Sequence, residues 1–417
     1  MSDELLHPDE ALELVLRAGR DAFVSGDATD FEKVPLAAAL GRHMPRPIAA
    51  TMDQPPFDKS AMDGFAVGLP LAESNIAAAE RRVWEVAGTV AAGTAIDRSP
   101  GPGSLLRVMT GAPLPPGTGF VQRVEYTAPV EGREDALTFD RPETSDNIIR
   151  RGENLRAGAT LLGPRRLGPA DIGILASSGV ALVEVARRPL VGVLSTGDEL
   201  VPAGGILGPA SIYDSNGPQL AAQIRDAGAG AQLYGIVRDE ETALRTALER
   251  ALSECDVVVL SGGVSMGDFD YVPATLEALG VRRVFHKIAM RPGKPTWFGL
   301  RGSTAVFGLP GNPLSTFVNF QVLLGPHLGA RMGVESRPLV LSLPLGAELS
   351  RKGVDRVEFL PVRLERGGGG PTVAIPLEYR GSSMLSVLAE AEGLARLEIG
   401  VGLVPKGDKV DVRLLRT

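Results

Sequence analysis

The chain carries a single cysteine, four histidines and aromatic residues at only 5%, and each scarcity removes a class of function. Cys255 alone cannot close an internal disulfide, and at the head of an apolar run it is expected to be a packed thiol rather than a reactive one. The histidines, at 7, 43, 286 and 327, have no partners at ligand spacing, which argues against a zinc centre or a Ser-His-Asp triad. His43 and the arginines beside it are expected at the surface. There is no GxxxxGKS or GxxxxGKT, and no GxGxxG opens a helix after a strand, so P-loop hydrolysis and nicotinamide chemistry lose ground. There is no basic block either: the net charge of −7 spreads over both signs and calls for no nucleic-acid partner. No run approaches the 18 apolar residues of a membrane span, and MSDELLHPDE is acidic where a secretory leader is basic and then apolar. A cytoplasmic protein is expected.

What the chain does have is length, turns and a patterned middle. At 417 residues it exceeds one ordinary core, and a prior of about 150 residues per domain suggests roughly three. The 51 glycines and 32 prolines supply the boundaries. The organising stretch is 255–271, CDVVVLSGGVSMGDFDY. Its β-branched run 257–260 suits a buried parallel strand, which Ser261, Gly262 and Gly263 then stop. A glycine turn there lets backbone N–H groups approach an anion, and Asp268 and Asp270 suit a hard cation. The plainer alternative is a loop whose glycines only turn it and whose carboxylates only keep it wet.

Strands at 190–194, 232–237, 257–260 and 304–309, with 283–288 extended, alternate with helical patterns at 239–253, 271–279 and 313–328. This predicts an open parallel sheet with right-handed crossovers, whose ligands sit beyond the carboxyl ends of the strands. Three such ends carry STGDE, with Ser195, Thr196 and Glu199; SGGVSMGDFD, with Gly262, Gly263, Ser265 and Asp270; and LPGN, with Pro310, Gly311 and Asn312. Glu199, Asp239, Asp268 and Asp270 together suit Mg²⁺ held through its waters and a substrate phosphate, and Arg291 and Lys294 in MRPGKPTWFG place positive charge in a Pro/Gly turn beside them.

Upstream, an amphipathic helix with Ala11, Leu14, Val15 and Ala18 on one face runs from residue 8 to near 26. TMDQPPFDKSAMDGFAV is a stiff charged loop offering Asp58, Lys59, Ser60 and Asp63 as contacts. Short β runs at 84–90, 104–109, 120–126 and 137–139 predict a small β domain, with Thr110 in a phosphate-facing corner; Arg150 and Arg151 then form a pair suited to phosphate or a solvated turn. Residues 339–345, 357–364, 372–376 and 409–414 predict a C-terminal β domain, with GGGG at 367–370 as a hairpin loop.

Taken together, PPFDKSAMDGFAV, MTGAPLPPG, LSTGDELV, YDSN, SGGVSMGDFDYV, RPGKP and GLPGNPLS resemble, in order, the motifs of the molybdopterin molybdenumtransferase family, that of bacterial MoeA enzymes and the equivalent gephyrin domain. The resemblance runs from about residue 8 to the C-terminus. It implies a multidomain α/β plus β protein: an elongated linker and dimerisation domain (1–55 and 150–188), an inserted β domain (56–149), a parallel-sheet, MogA-like α/β domain (189–333) and a C-terminal β-barrel-like domain (334–417). It implies a homodimer with the cleft between subunits. The implied reaction takes adenylylated molybdopterin and molybdate and, with Mg²⁺ assistance, cleaves the pyrophosphate link to give molybdenum cofactor and AMP. An adenylyltransferase that supplies the substrate is an implied partner.

The resemblance places Asp63, Thr110, Glu199, Asp239, Asp270 and Lys294 on positions the family uses for metal, molybdate or pterin, with Glu199, Asp239 and Asp270 as the metal set. Arg356 and Ser382 fall where the C-terminal domain contributes to the cleft. The chain departs from the family at Asn154, where an acid is frequent, at Ile149, where an arginine is common beside Arg150 and Arg151, and at Arg291, where lysine is usual. The departures at Asn154 and Ile149 motivate a second reading, a non-catalytic pterin-binding scaffold; a third is a pyrophosphatase or phosphotransfer enzyme on the same fold. Asp270→Asn is expected to abolish AMP release while leaving urea denaturation nearly unchanged, and undiminished AMP release removes Asp270 from the metal set.

Overall fold

The computed structural model describes residues 5–23, 30–68, 82–94, 99–101, 103–141, 143–264, 271–334, 338–351, 353–366 and 370–415. Ser265, Asp268, Asp270 and most of the GGGG tract therefore lie outside the described residues. The chain divides into two units, one of Met1–Pro45, Pro164–Gly168 and Leu182–Thr417, the other of Arg46–Gly163 and Pro169–Ala181.

The first unit is built on the Val257–Ser261 strand, whose residues 257–260 are all fully buried. Successive side chains point to opposite faces of a sheet, so a strand buried on both sides must feed two cores. Val257 and Val259 pack with Val191, Val193 and Phe307 in one cluster, while Val258 and Leu260 pack with Leu194, Leu248 and Val306 in another. The helix Glu241–Glu254 covers the second face with Leu244, Leu248 and Leu252. The helices Pro8–Ala22 and Asn216–Asp226 cover the first with Ala11, Val15, Leu220 and Ile224.

The sheet order is Gly230–Val237, Leu190–Thr196, Val257–Ser261, Thr304–Leu309, Trp297–Arg301, Arg282–His286. The first four strands are parallel, but Trp297–Arg301 runs antiparallel between its two neighbours, so the sheet is mixed rather than wholly parallel. The Pro/Gly content of residues 290–299 predicts a turn there. The strand that leaves this turn returns beside Thr304–Leu309 through a two-residue link, Gly302 and Ser303, which is the short connection that only antiparallel neighbours allow.

The predicted final helix is present, but residues 320–324 adopt π geometry between the α segments Pro313–Asn319 and Gly325–Arg331. Beyond it, Met290–Arg291, Val357–Arg366, Gly393–Leu397, Lys409–Leu414 and Val340–Pro344 form a second sheet, with Thr372–Pro376 paired to Val357–Arg366 as the predicted hairpin. Leu345 also pairs with Ala374.

The second unit holds a six-stranded sheet in the order Phe120–Arg123, Gly64–Val67, Ser104–Val108, Trp84–Val90, Arg133–Phe139, Thr127–Val130. Alternation again separates its two faces. Phe65, Val67, Trp84, Leu105, Phe120 and Phe139 share one cluster, whereas Ala66, Val90, Leu106, Val108 and Val121 share the other.

His43 and Arg42 correct the surface expectation, being 3% and 6% exposed. His43 pairs with Arg166 in a short antiparallel bridge, and Arg42 reaches Glu32 at 2.5 Å and the Ala186 carbonyl at 2.8 Å. Their partners lie up to 144 residues away in the chain. Spacing along the sequence carries no trace of such contacts. Among the described residues no helix is long and apolar enough to cross a membrane.

His327 is fully buried, and because a carbonyl only accepts, its Nδ1–H donates to the Val15 carbonyl at 2.7 Å. Burial pushes its pKa down from 6.5 to about 4. The folded chain holds the neutral ring and the unfolded chain takes up the proton between these values. Stability is therefore complete above pH 6.5 and falls as acid is added toward pH 4. This one group removes about 2 kcal/mol by pH 5. His327→Gln keeps a donor but cannot titrate, so its melting temperature should decline less steeply between pH 7 and 5. An unchanged slope would show that His327 does not titrate in this way.

Candidate active site

In the first unit the register fixes which loops share an edge. Thr196 stands beside Val237, Ser195 beside Ser261, Ser261 beside Leu309, and Gly308 beside Trp297. The loops leaving the four parallel strands, and the turn entering Trp297–Arg301, therefore emerge on one rim. That rim carries Glu199, Asp239, Gly262, Gly263, Pro310, Gly311, Asn312 and Lys294. Asp239 and Lys294 belong to strands four places apart, about 19 Å at the usual strand spacing. The rim is long and bears acid at one end and base at the other.

The backbone at the middle of the rim is crowded. Gly262 has φ +95°, and a Cβ there would stand 2.5 Å from the Thr196 carbonyl oxygen. Gly311 lies beside it, where a Cβ would make an ordinary van der Waals contact of 3.7 Å with Gly262 Cα. Ser195 and Thr196 lie beneath, both buried: Ser195 Oγ donates to Asp214 at 2.9 Å, and Asp214 also accepts from the Gly217 N–H at 3.0 Å. Asn216 donates from Nδ2 to the Gly311 carbonyl at 2.7 Å. Its buried Oδ1 has no hydrogen-bond partner among the described residues. Asp198, Glu199 and Asp239 are exposed, and the Asp239 N–H donates to Asp198 Oδ1 at 3.3 Å. Among the described residues no three acidic, histidine or cysteine side chains gather closely enough to hold a metal.

At the other end Lys294 is exposed, and its carbonyl accepts from the Ile288 and Thr296 N–H groups. Thr296 is fully buried and donates to the Gly293 carbonyl and to Asn319 Oδ1, both at 2.7 Å, so the turn bearing Lys294 is fastened to the helix behind it. Thr316 does the same for the neighbouring turn by donating to the Pro310 carbonyl at 2.6 Å. Ser382 accepts through its carbonyl from Leu314 N–H at 3.0 Å, which sets the C-terminal segment beside LPGN. Arg291 lies 3.4 Å from Glu358, which Arg351 approaches at 3.5 Å and to which the Tyr379 hydroxyl donates at 3.3 Å. These groups line a cavity of about 300 Å³ with Arg380. Arg356 lies 3.3 Å from Asp355.

In the second unit Asp63 accepts from the Thr110 N–H at 2.6 Å and from the Thr110 hydroxyl at 2.8 Å. These bonds, with Arg107 nearby, hold its carboxyl below the usual range. Lys59 and Ser60 pair with Ile149 and Ile148. Ser60 is fully buried and donates its hydroxyl to the Met62 carbonyl at 2.5 Å. Arg150 is paired to Asp146 at 2.6 Å and to Asp58 at 3.5 Å, and Arg151 to Asp53 at 2.6 Å. Asp53, Asp58 and Asp146 thus neutralise much of the arginine pair. Their role was not visible in the sequence, although Asp53 and Asp58 flank the prolines of a loop already singled out.

Residues 6–179 match the family model for the MoeA N-terminal region (domain I and II), 192–330 that for a probable molybdopterin binding domain, and 344–415 that for the MoeA C-terminal region (domain IV). The chain is 33% identical to the molybdopterin molybdenumtransferase of Bacillus subtilis (strain 168) over 92% of its length and 90% of that protein. The chain belongs to the molybdopterin molybdenumtransferase family. It is a transferase of molybdenum cofactor biosynthesis. The Staphylococcus aureus (strain N315) enzyme is 31% identical over 91% of this chain and 90% of its own. A crystal structure of a molybdopterin biosynthesis MoeA protein from Pyrococcus horikoshii OT3 superposes with a TM-score of 0.82 at 27% identity, covering 99% of this chain and all of that one.

For this transferase the crowding at Gly262 gives a test. Gly262→Ala combines a strained positive φ with a clash against Thr196, and should lower stability by about 2 to 4 kcal/mol in urea denaturation. A loss within 0.5 kcal/mol, in the range usual for surface changes, would show that the rim has room there.

Proposed function

We propose that the chain inserts molybdate into adenylylated molybdopterin: the pyrophosphate link is cleaved, AMP leaves, and molybdenum cofactor is formed. The observation that carries this reading is the single rim with backbone-crowded glycine turns at its centre, carboxylates at one end and Lys294 at the other. A span of about 19 Å accommodates an extended substrate with a pyrophosphate in its middle. The Gly262 N–H is taken up by the Leu309 carbonyl at 3.0 Å, so the N–H groups of Gly263 and Gly311 are the ones that would receive phosphate oxygens.

Glu199, Asp239 and Asp270 are the residues that would hold Mg²⁺. Mg²⁺ keeps several waters and takes few carboxylates, so the exposed acids at this end of the rim fit it without enclosing it. When bound, it would neutralise phosphate charge as the link breaks. Lys294 would hold the far end of the substrate, Asn216 would keep the Gly311 turn in place, and Asp63 with Thr110 would serve the same reaction.

Molybdate is an oxyanion, and the cavity beside Arg291, Arg351 and Arg380 sets three arginines against Glu358 alone. Arginine forks suit such a guest, and Ser382 and Arg356 belong to the same part of the chain. We also propose the four-domain division given above. The pairing of Leu345 with Ala374 supports a barrel-like C-terminal domain. A cytoplasmic homodimer fits exposed apolar side chains at Ile206, Leu207, Ile212 and Tyr213, and an adenylyltransferase would supply the substrate.

Purified protein given adenylylated molybdopterin, molybdate and Mg²⁺ should release AMP, and omission of molybdate or Mg²⁺ should stop it. Glu199→Gln and Lys294→Met should each lower the rate by about a hundredfold. Tight pterin binding without AMP release would favour the scaffold reading, which the engagement of Arg150 and Arg151 by carboxylates supports. AMP release independent of molybdate would favour a pyrophosphatase.

A further inference from the structure

A cavity of about 490 Å³ in the first unit lies away from the rim. The helix Asn216–Asp226 begins at the rim, where Asn216 holds Gly311, and ends at the cavity, which Gln223 and Asp226 line. Its eleven residues span about 16 Å. Arg413, Arg166, His43 and Gln223 face the cavity from four separate segments of the chain.

The polar groups of this cavity are poorly satisfied. The buried Nε of Arg413 has no hydrogen-bond partner, and no carboxylate pairs with its guanidinium among the described residues. Burial alone pushes the Arg413 pKa down to about 10. The side-chain amide of Gln223 and Nδ1 of His43 are likewise buried without partners, and His43 is 3% exposed. Arg166 is exposed and donates to the Gly41 and Asp226 carbonyls, so water rather than a carboxylate compensates its cation. Buried polar groups are nearly always paired, and a charge withdrawn from water is costly unless an opposite charge meets it.

A second, independent feature lies at the same place. The long helix departs from α geometry at Phe320–Leu324, and Phe320 and Gln321 of that segment line the cavity. Such π segments weaken a helix and are retained mostly where they shape a site.

We propose that this cavity binds a small oxyanion, a phosphate or carboxylate group, held by the guanidinium groups of Arg413 and Arg166 and the amide of Gln223. Guanidinium forks and an amide donor match the oxygens of such a group, and the volume leaves space for the body of a small metabolite that bears it. The site is separate from the rim and its occupant would act on stability rather than on the reacting atoms.

Inorganic phosphate is the probe, titrated into the full-length protein at constant ionic strength set with sodium chloride. The melting temperature should rise saturably with phosphate, as for any ligand of the folded state alone. Arg413→Met should weaken phosphate binding by about tenfold or more. Without phosphate this variant should melt no lower than the native protein, because it removes an unpaired buried charge. Gln223→Leu, a milder change, should also weaken the phosphate response. A sulfate arm separates phosphate recognition from general oxyanion binding, and an acetate arm tests carboxylates. A flat response of the native protein to all three anions overturns the proposal, as does an equal response in both variants. An Arg413→Met chain that is destabilised without phosphate overturns it too, because the guanidinium would then already have its partner within the protein.

Discussion

The close approach of backbone to backbone at the ends of the parallel strands is the constraint on which the rest of the first unit depends. Gly262 turns at φ +95° with no space for a Cβ beside the Thr196 carbonyl, and Gly311 lies against Gly262. Such proximity requires strands locked in register. The full burial of residues 257–260 against two cores supplies that lock. Each buried Val or Leu side chain contributes about 1.5 to 3 kcal/mol, so slipping the strand by one place would exchange its two faces and forfeit several such contributions at once. The glycines of the rim are therefore held by hydrophobic packing, although none of them takes part in it.

The rim is fastened from behind by neutral hydrogen bonds. Thr296, Asn319 and Thr316 are fully buried and tie the turns at Gly293 and Pro310 to the Pro313–Asn319 helix. Neutral groups secure a turn without changing its charge, so the positive character of Lys294 and Arg291 is not offset by what positions them. Arg291 does have a carboxylate neighbour in Glu358, but Arg351 shares that neighbour, and the balance around it stays positive.

Much of this was legible in the sequence, and the reason differs element by element. The strand at 257–261 was readable because burial on both faces demands an unbroken β-branched run, and the stops at Ser261, Gly262 and Gly263 because few other residues make that turn. Trp297–Arg301 was not read as a strand, because RPGKP before it signals a turn so strongly that the aromatic pair Trp297 and Phe298 went uncounted as β signal. His43 gave no sign of burial because its neighbours, its strand partner Arg166 and the turn at Gly228, lie far along the chain. The carboxylates that hold Arg150 and Arg151 were hidden for the same reason: Asp58 and Asp53 lie 92 and 98 residues away in the chain.

The arginine pair shows how such remote contacts alter chemistry that motif reading assigns by residue type alone. Two adjacent guanidinium groups in a glycine turn suggest an anion site, yet Asp146, Asp58 and Asp53 already occupy their forks. Hydrogen bonding to Asp146 raises the Arg150 pKa further, and the Ala157 N–H, followed by Arg151, lowers that of Asp53. Both shifts mean that the ionised pairs are favoured over their neutral forms. A phosphate arriving here would have to displace a carboxylate rather than fill an open fork, and these exposed pairs are individually weak enough for that exchange. Asn154 then takes on a structural sense. Its N–H donates to the Gln54 carbonyl, on the segment that carries Asp53 and Asp58, and an amide side chain at this position adds no further carboxylate beside Glu153, which already accepts from the Arg150 N–H at 2.7 Å.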